Sequence, residues 1–177
     1  MKRFLFLILI VSFNISASDE GIQQWVYNTL ERAQANLDKG NIEAAEKIYY
    51  DYANDTWSSR SYDHFVFLRT YAYFLLSFDR NEEALRYLKQ ASLKRDMPPY
   101  DIFELHFTLG QVYYVTGDRE NAKKTLLKWV EIGEKNKLDL KPEGYAILAT
   151  IYAQDEEWSN ALKFITLAID NSYMFVE

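Results

Sequence analysis

Apolar and polar positions divide the chain into one short continuous apolar run and a long stretch where apolar residues recur at helical spacing. The run is Phe4–Phe13 (FLFLILIVSF), broken only by Ser12. In the rest, four segments line up around a small residue that opens a helix. They are LDKGNIEAAEKIY at Ala45, LSFDRNEEALRYL at Ala84, VTGDRENAKKTLL at Ala122 and AQDEEWSNALKFI at Ala161. The spacings are 39, 38 and 39 residues. A period of that size marks a stacked supersecondary unit that buries its apolar face only against its neighbours. The pattern predicts an all-α chain of about eight helices in four antiparallel hairpins, with copies at roughly 22–58, 61–97, 100–138 and 142–177.

Small residues and prolines support the same division. Ala33, Ala72, Gly110 and Ala149 in the first helices face Ala45, Ala84, Ala122 and Ala161 in the second, so the paired helices can approach closely. Met97-Pro98-Pro99 and Lys141-Pro142-Glu143 stop one helix and start the next, because proline in a first turn gives up no helical hydrogen bond. Asp38 and Asp118 stand beside turn glycines, where a short carboxylate can cap exposed backbone groups. The aromatic run from Phe65 to Leu76 is apolar almost all round, as suits a central helix with neighbours on both sides.

The N-terminus is a different object. Lys2 and Arg3 precede the ten-residue apolar run, and Ser16 and Ser18 stand at the −3 and −1 positions of a cleavage after Ser18. This order of charge, apolar core and small residues predicts a secretory signal peptide over 1–18. A ten-residue helix rises about 15 Å, half the hydrocarbon core of about 30 Å, so the run is too short to span. The short positive start suggests a bacterial signal and a periplasmic mature protein, the helical array then occupying 19–177.

Composition narrows the chemistry. The chain has 20 Lys and Arg against 26 Asp and Glu, and no basic cluster, so nucleic acid is not expected as a partner. Cysteine is absent, which removes disulfides, thiolate metal sites and a lipid-bearing cysteine after the apolar run. His64 and His106 are the only histidines. His106 falls at a first-helix core position, and His64, beside Asp63, has neither a nucleophile nor a metal-ligand companion in the sequence. No phosphate loop or His-Glu-x-x-His pattern occurs, and the carboxylates Glu82-Glu83 and Asp155-Glu156-Glu157 read as solvated faces. No catalytic residue, cofactor or metal is expected.

The repeat resembles the tetratricopeptide repeat, clearest in the third copy with Leu109-Gly110, Tyr113, Gly117-Asp118 and Ala122, and in the fourth with Tyr145, Leu148-Ala149, Tyr152, Trp158, Ala161 and Ala168. It departs in two ways. The period exceeds the usual 34 residues, and bulky Tyr52 and Trp129 stand where Ala91 and Ala168 stand in other copies, which should widen the local crossing. The resemblance implies a right-handed α-solenoid whose first helices line a concave face for a protein or peptide partner. Carried over by position, that face holds Tyr27, Gln34, Arg69, Tyr73, Phe107, Gln111, Tyr114, Ala146 and Thr150. Tyr73 and Tyr114 read equally well as packing between hairpins. The face lacks the basic ring with which carboxylate-clamp members hold acidic C-termini.

A narrower resemblance covers about a third of the chain. Leu126-x-x-Trp129 and the opening Pro142-Glu-x-Tyr-Ala-x-Leu-Ala149 look like exported bacterial repeat proteins associated with TonB–ExbB–ExbD energy-transduction systems. It implies an accessory role in the envelope through contact with transducer components. Two readings of other classes stand beside this adaptor: a self-assembling module, and an enzyme with an unrecognised site. The apolar ending Tyr173-Met174-Phe175-Val176-Glu177 is expected to continue into a longer array; the alternatives are a tail that folds back or one that makes a homo-oligomer.

Overall fold

The computed structural model describes residues 21–55 and 61–172. The signal segment 1–18 and the apolar ending at 173–177 lie outside the described residues. Eight helices follow one another: α1 (Gln24–Asp38), α2 (Ile42–Ala53), α3 (Ser61–Ser77), α4 (Asn81–Ser92), α5 (Pro99–Val115), α6 (Arg119–Asn136), α7 (Pro142–Gln154) and α8 (Trp158–Ser172). They pair as α1–α2, α3–α4, α5–α6 and α7–α8, and each second helix packs on the first helix of the next hairpin. This is the all-α solenoid of four antiparallel hairpins that the repeat pattern predicts.

Every hairpin turns in the same way. Three residues separate the paired helices, and the middle one has a positive φ: Gly40 at 76°, Asp79 at 58°, Gly117 at 86° and Glu156 at 59°. The next amide reaches back five residues in each case: Asn41 N to Asn36 O, Arg80 N to Leu75 O, Asp118 N to Tyr113 O and Glu157 N to Tyr152 O, at 2.8 to 3.0 Å. This is the Schellman arrangement, which satisfies carbonyls left open at a helix end. Glycine adopts the left-handed conformation freely, so Gly40 and Gly117 announce their turns in the sequence. Asp79 and Glu156 adopt it because the two helices they join are held by packing.

The starts of helices agree less uniformly with expectation. Asp118 caps α6, accepting the Asn121 amide at 3.2 Å. Asp38 does not cap the next helix; it ends α1 and accepts the Gln34 side-chain amide at 2.8 Å. Pro99 and Pro142 occupy first turns, as predicted. The length beyond a 34-residue period goes into 17-residue first helices (α3, α5), the 18-residue α6, and the segments between hairpins.

Burial explains the sequence contrast between helix types. The central first helices α3 and α5 are covered on most sides, so Phe65–Leu68 and Tyr71–Ala72 are all buried. Second helices are amphipathic and bury one stripe, such as Ala84, Tyr87, Leu88 and Ala91 of α4. Helix α5 belongs to both apolar clusters, with Leu105, Leu109 and Val112 facing the N-terminal half and Phe103 and Phe107 facing the C-terminal half. The close approach expected at Gly110 is tight: a β-carbon there would meet Leu126 at 2.6 Å. Trp129 is fully buried, with ring centroids of Phe103, Phe107 and Tyr145 at 5.5, 5.2 and 5.7 Å. Room for its bulk is made in the next hairpin, at Gly144, where a β-carbon would meet the indole at 2.4 Å. Tyr52, the other large residue at that repeat position, stacks on Phe67 at 4.9 Å.

Candidate protein-binding face

The expected binding residues sit on successive first helices, α1, α3, α5 and α7, and the solenoid places them along one side. Polar contacts between those helices fix the spacing. The Gln23 amide donates to Asp63 Oδ1 at 3.3 Å, linking the start of α1 to α3. Asp101 of α5 receives two donors from α3: the Arg69 guanidinium, and the Tyr62 hydroxyl at 2.9 Å. Burial, reinforced by donation to Asp101, pushes the Tyr62 phenol up to about 12, so it remains a donor at neutral pH. Tyr73 and Thr108 hydroxyls approach to 3.4 Å. Further along, Lys141 donates to Glu104 at 2.7 Å and lies 4.6 Å over the Phe107 ring.

The candidate residues therefore divide by accessibility. Tyr27 is 39% exposed, and Gln34 and Thr150 are exposed, although Gln34 donates to Asp38 and the Thr150 hydroxyl to Ala146 O. Gln111, Tyr114 and Ala146 are half-buried, and Tyr114 packs against the apolar cluster. Tyr73 is half-buried too and bridges to α5, which favours its packing role. Arg69 is only partly accessible and is committed to Asp101 and to the Phe65 ring at 5.1 Å. Phe107 corrects the expectation: at 4% exposure it is closed between Trp129 and Lys141, a core residue rather than contact surface. The same repeat position holds Leu30, Arg69 and Ala146 in the other copies; here it packs on an indole, with Trp129 of α6 5.2 Å away.

Sequence reasoning missed Asp63 and Asp101, both buried near the starts of α3 and α5. Their signal was available, since Tyr62-Asp63 and Tyr100-Asp101 repeat at the hairpin period of 38 residues. Buried carboxylates are retained only with partners, and here they tie neighbouring first helices.

The histidines act within the framework. His64 bridges elements, with Nε2 3.1 Å from Ala53 O and Nδ1 2.8 Å from Lys94 Nζ. His106 donates from Nδ1 to Ile102 O at 2.8 Å, and burial pushes its imidazole below the usual range. Among the described residues, no group of His, Asp and Glu could hold a metal ion, and no helix is long and apolar enough to cross a membrane.

No protein-family model matches the chain, and no curated protein does. Solved structures share its fold. MamA is 17% identical, the match covering 84% of this chain and 79% of MamA, with a TM-score of 0.63. A putative kinesin light chain from Podosopora anserina, with nearly identical TPR-like repeats, is 16% identical over 86% of this chain and 77% of its own, with a TM-score of 0.62. The apo form of RapI is 17% identical over 86% of this chain but 42% of its own, with a TM-score of 0.59. The shared feature is the TPR-like helical solenoid.

Proposed function

We propose that this chain is a non-catalytic adaptor of the periplasm, accessory to a TonB-type envelope complex, which holds a protein segment along the side formed by α1, α3, α5 and α7. The observation that carries the adaptor reading is the geometry of that side. Four parallel first helices are locked at fixed spacing by Asp63, Asp101 and Glu104, and they leave Tyr27, Gln34, Gln111, Tyr114 and Thr150 at least partly open. A pre-set row of partly open aromatic and amide side chains suits an extended or helical segment, since little ordering entropy is lost on binding. Tyrosine supplies contact area together with a hydrogen-bonding tip. The framework roles of both histidines, and carboxylates engaged in ties between helices, support a role without catalysis.

The location rests on the pattern of residues 1–18, and the envelope complex on the Leu126-x-x-Trp129 and Pro142–Ala149 resemblance. The experiment is crosslinking in intact cells followed by detection of TonB, ExbB and ExbD. The control is a Tyr27→Ala/Gln111→Ala/Thr150→Ala variant with an unchanged circular-dichroism spectrum. Arg69 is left intact, because its loss would disturb the α3–α5 tie as well as any ligand. Capture by the parent and loss with the variant is the expected result. Equal capture by both moves the binding surface elsewhere, and no capture of these proteins removes the envelope assignment.

A further inference from the structure

Helix α8 carries Trp158, Leu162, Ile165 and Ile169, a stripe at i, i+4, i+7 and i+11 that is 66, 67, 41 and 48% exposed. Side chains at these spacings share one face of a helix. The repeat supplies an internal standard for how unusual this is. The residues at the place of Ile165 in the earlier hairpins are Tyr49, Leu88 and Leu126, which are 3, 0 and 0% exposed. Each is covered by the first helix of the following hairpin: α3 on α2, α5 on α4 and α7 on α6. The covering helices use matching positions: Phe67, Tyr71 and Phe74 on α3, Leu105, Leu109 and Val112 on α5, and Gly144, Leu148 and Ile151 on α7, where the glycine makes room for Trp129.

Helix α1 differs at the matching positions. On α1 the same three positions hold Asn28, Arg32 and Ala35, all exposed. That polar face cannot take the place of Leu105, Leu109 and Val112, so head-to-tail stacking of copies would bury Arg32 against an apolar stripe without a partner. On α8 itself the only charged residues are Lys163 and Asp170, and the stripe runs into a shallow groove between α7 and α8 lined by Pro142, Glu143, Ala146, Ala168, Ile169 and Ser172.

We propose that this α8 face is a docking surface for a partner's amphipathic helix bearing large apolar side chains at i, i+4 and i+7, seated as α3, α5 and α7 are seated on the second helices before them. The site continues an interface the chain already repeats three times, and it is separate from the first-helix side proposed above. Its occupant needs an uncharged docking face.

The test uses the full chain and a fluorescein-labelled peptide reproducing Pro99–Val115 as the probe, followed by anisotropy. Saturable binding is expected, weakened at least tenfold by Ile165→Asp and by Leu162→Lys, and unchanged by Tyr27→Ala. Leu162 is two-thirds exposed, so its variant keeps the test open should Ile165→Asp fold poorly. A peptide with the same composition in scrambled order should not bind. Absence of binding overturns the proposal, as does equal binding of the scrambled peptide. So does a parent that sediments as a dimer, refuses the peptide and becomes monomeric with Ile165→Asp, because the occupant is then a second copy.

Discussion

Gly144 and Trp129 form a matched pair, and the match has a measurable size. In Gly144→Ala the new methyl would lie 2.4, 2.6 and 3.1 Å from three indole carbons. The indole cannot retreat, because Phe103, Phe107 and Tyr145 enclose it and it is fully buried. Overpacking of this kind costs about 1–3 kcal/mol. Alanine's better helix propensity returns up to about 1 kcal/mol, and less in a first turn. The expected net loss is about 1–2 kcal/mol, and each kcal/mol lowers the midpoint by about 2–4 °C for a chain of this size. The assay is urea and thermal unfolding followed by far-UV circular dichroism, with the same substitution repeated in a Trp129→Leu background. There the methyl meets space vacated by the ring, so Gly144→Ala should become neutral or stabilising. The coupling between the two sites should then equal the overpacking cost itself, about 1–3 kcal/mol. Equal penalties in both backgrounds would refute the reasoning, since the cost would then belong to the α7 backbone and not to the indole.

Other outcomes follow from the turns, the ties and the titrating groups. Glu156→Gly should stabilise the fold by about 0.5–1 kcal/mol, because a glycine relieves the left-handed strain while losing some of that gain to its freer unfolded chain; an unchanged or lower urea midpoint contradicts this. Asp101→Asn leaves Arg69 partly buried beside a neutral amide and should cost about 2 kcal/mol, below the 3–5 kcal/mol of a completely buried pair; retention of the parent's unfolding midpoint would show that the tie contributes little. Burial lowers the His106 value in the folded chain, so its contribution is present above the unfolded value of about 6.5 and is lost as pH falls through the lower folded value. Stability measured from pH 8 to pH 5 should therefore fall less in His106→Phe than in the parent. The Tyr62 phenol has the opposite sense: its folded value of about 12 lies above the ordinary one, so stability it supplies below about pH 10 is lost as pH rises through 12. Tyr62→Phe should flatten that alkaline limb of the unfolding curve.

Much of the architecture was legible because it is repetitive. Ala45, Ala84, Ala122 and Ala161 mark where second helices begin, and the small residues opposite them mark where helices touch. Local chemistry sufficed for the glycine turns at Gly40 and Gly117, for the Asp118 cap and for the first-turn prolines, since each depends on the few residues beside it. Less of the candidate face could be read. Position within the repeat put Phe107 and Arg69 on that side, but whether a side chain there is open depends on what the next hairpin presents.

Sequence alone thus determined the helical class, the number of hairpins and where each turns, because periodicity and turn chemistry are properties of short segments. Tertiary structure decided the rest. It put Phe107 beneath Lys141, joined Arg69 and Tyr62 to Asp101, seated Trp129 over Gly144, and left Ile165 uncovered where Leu88 and Leu126 are closed. The reason is that a solenoid repeats its backbone while each side chain's surroundings come from residues 15 to 39 positions away in the pairs just named. The same place in the repeat can therefore be core in one copy and open surface in another.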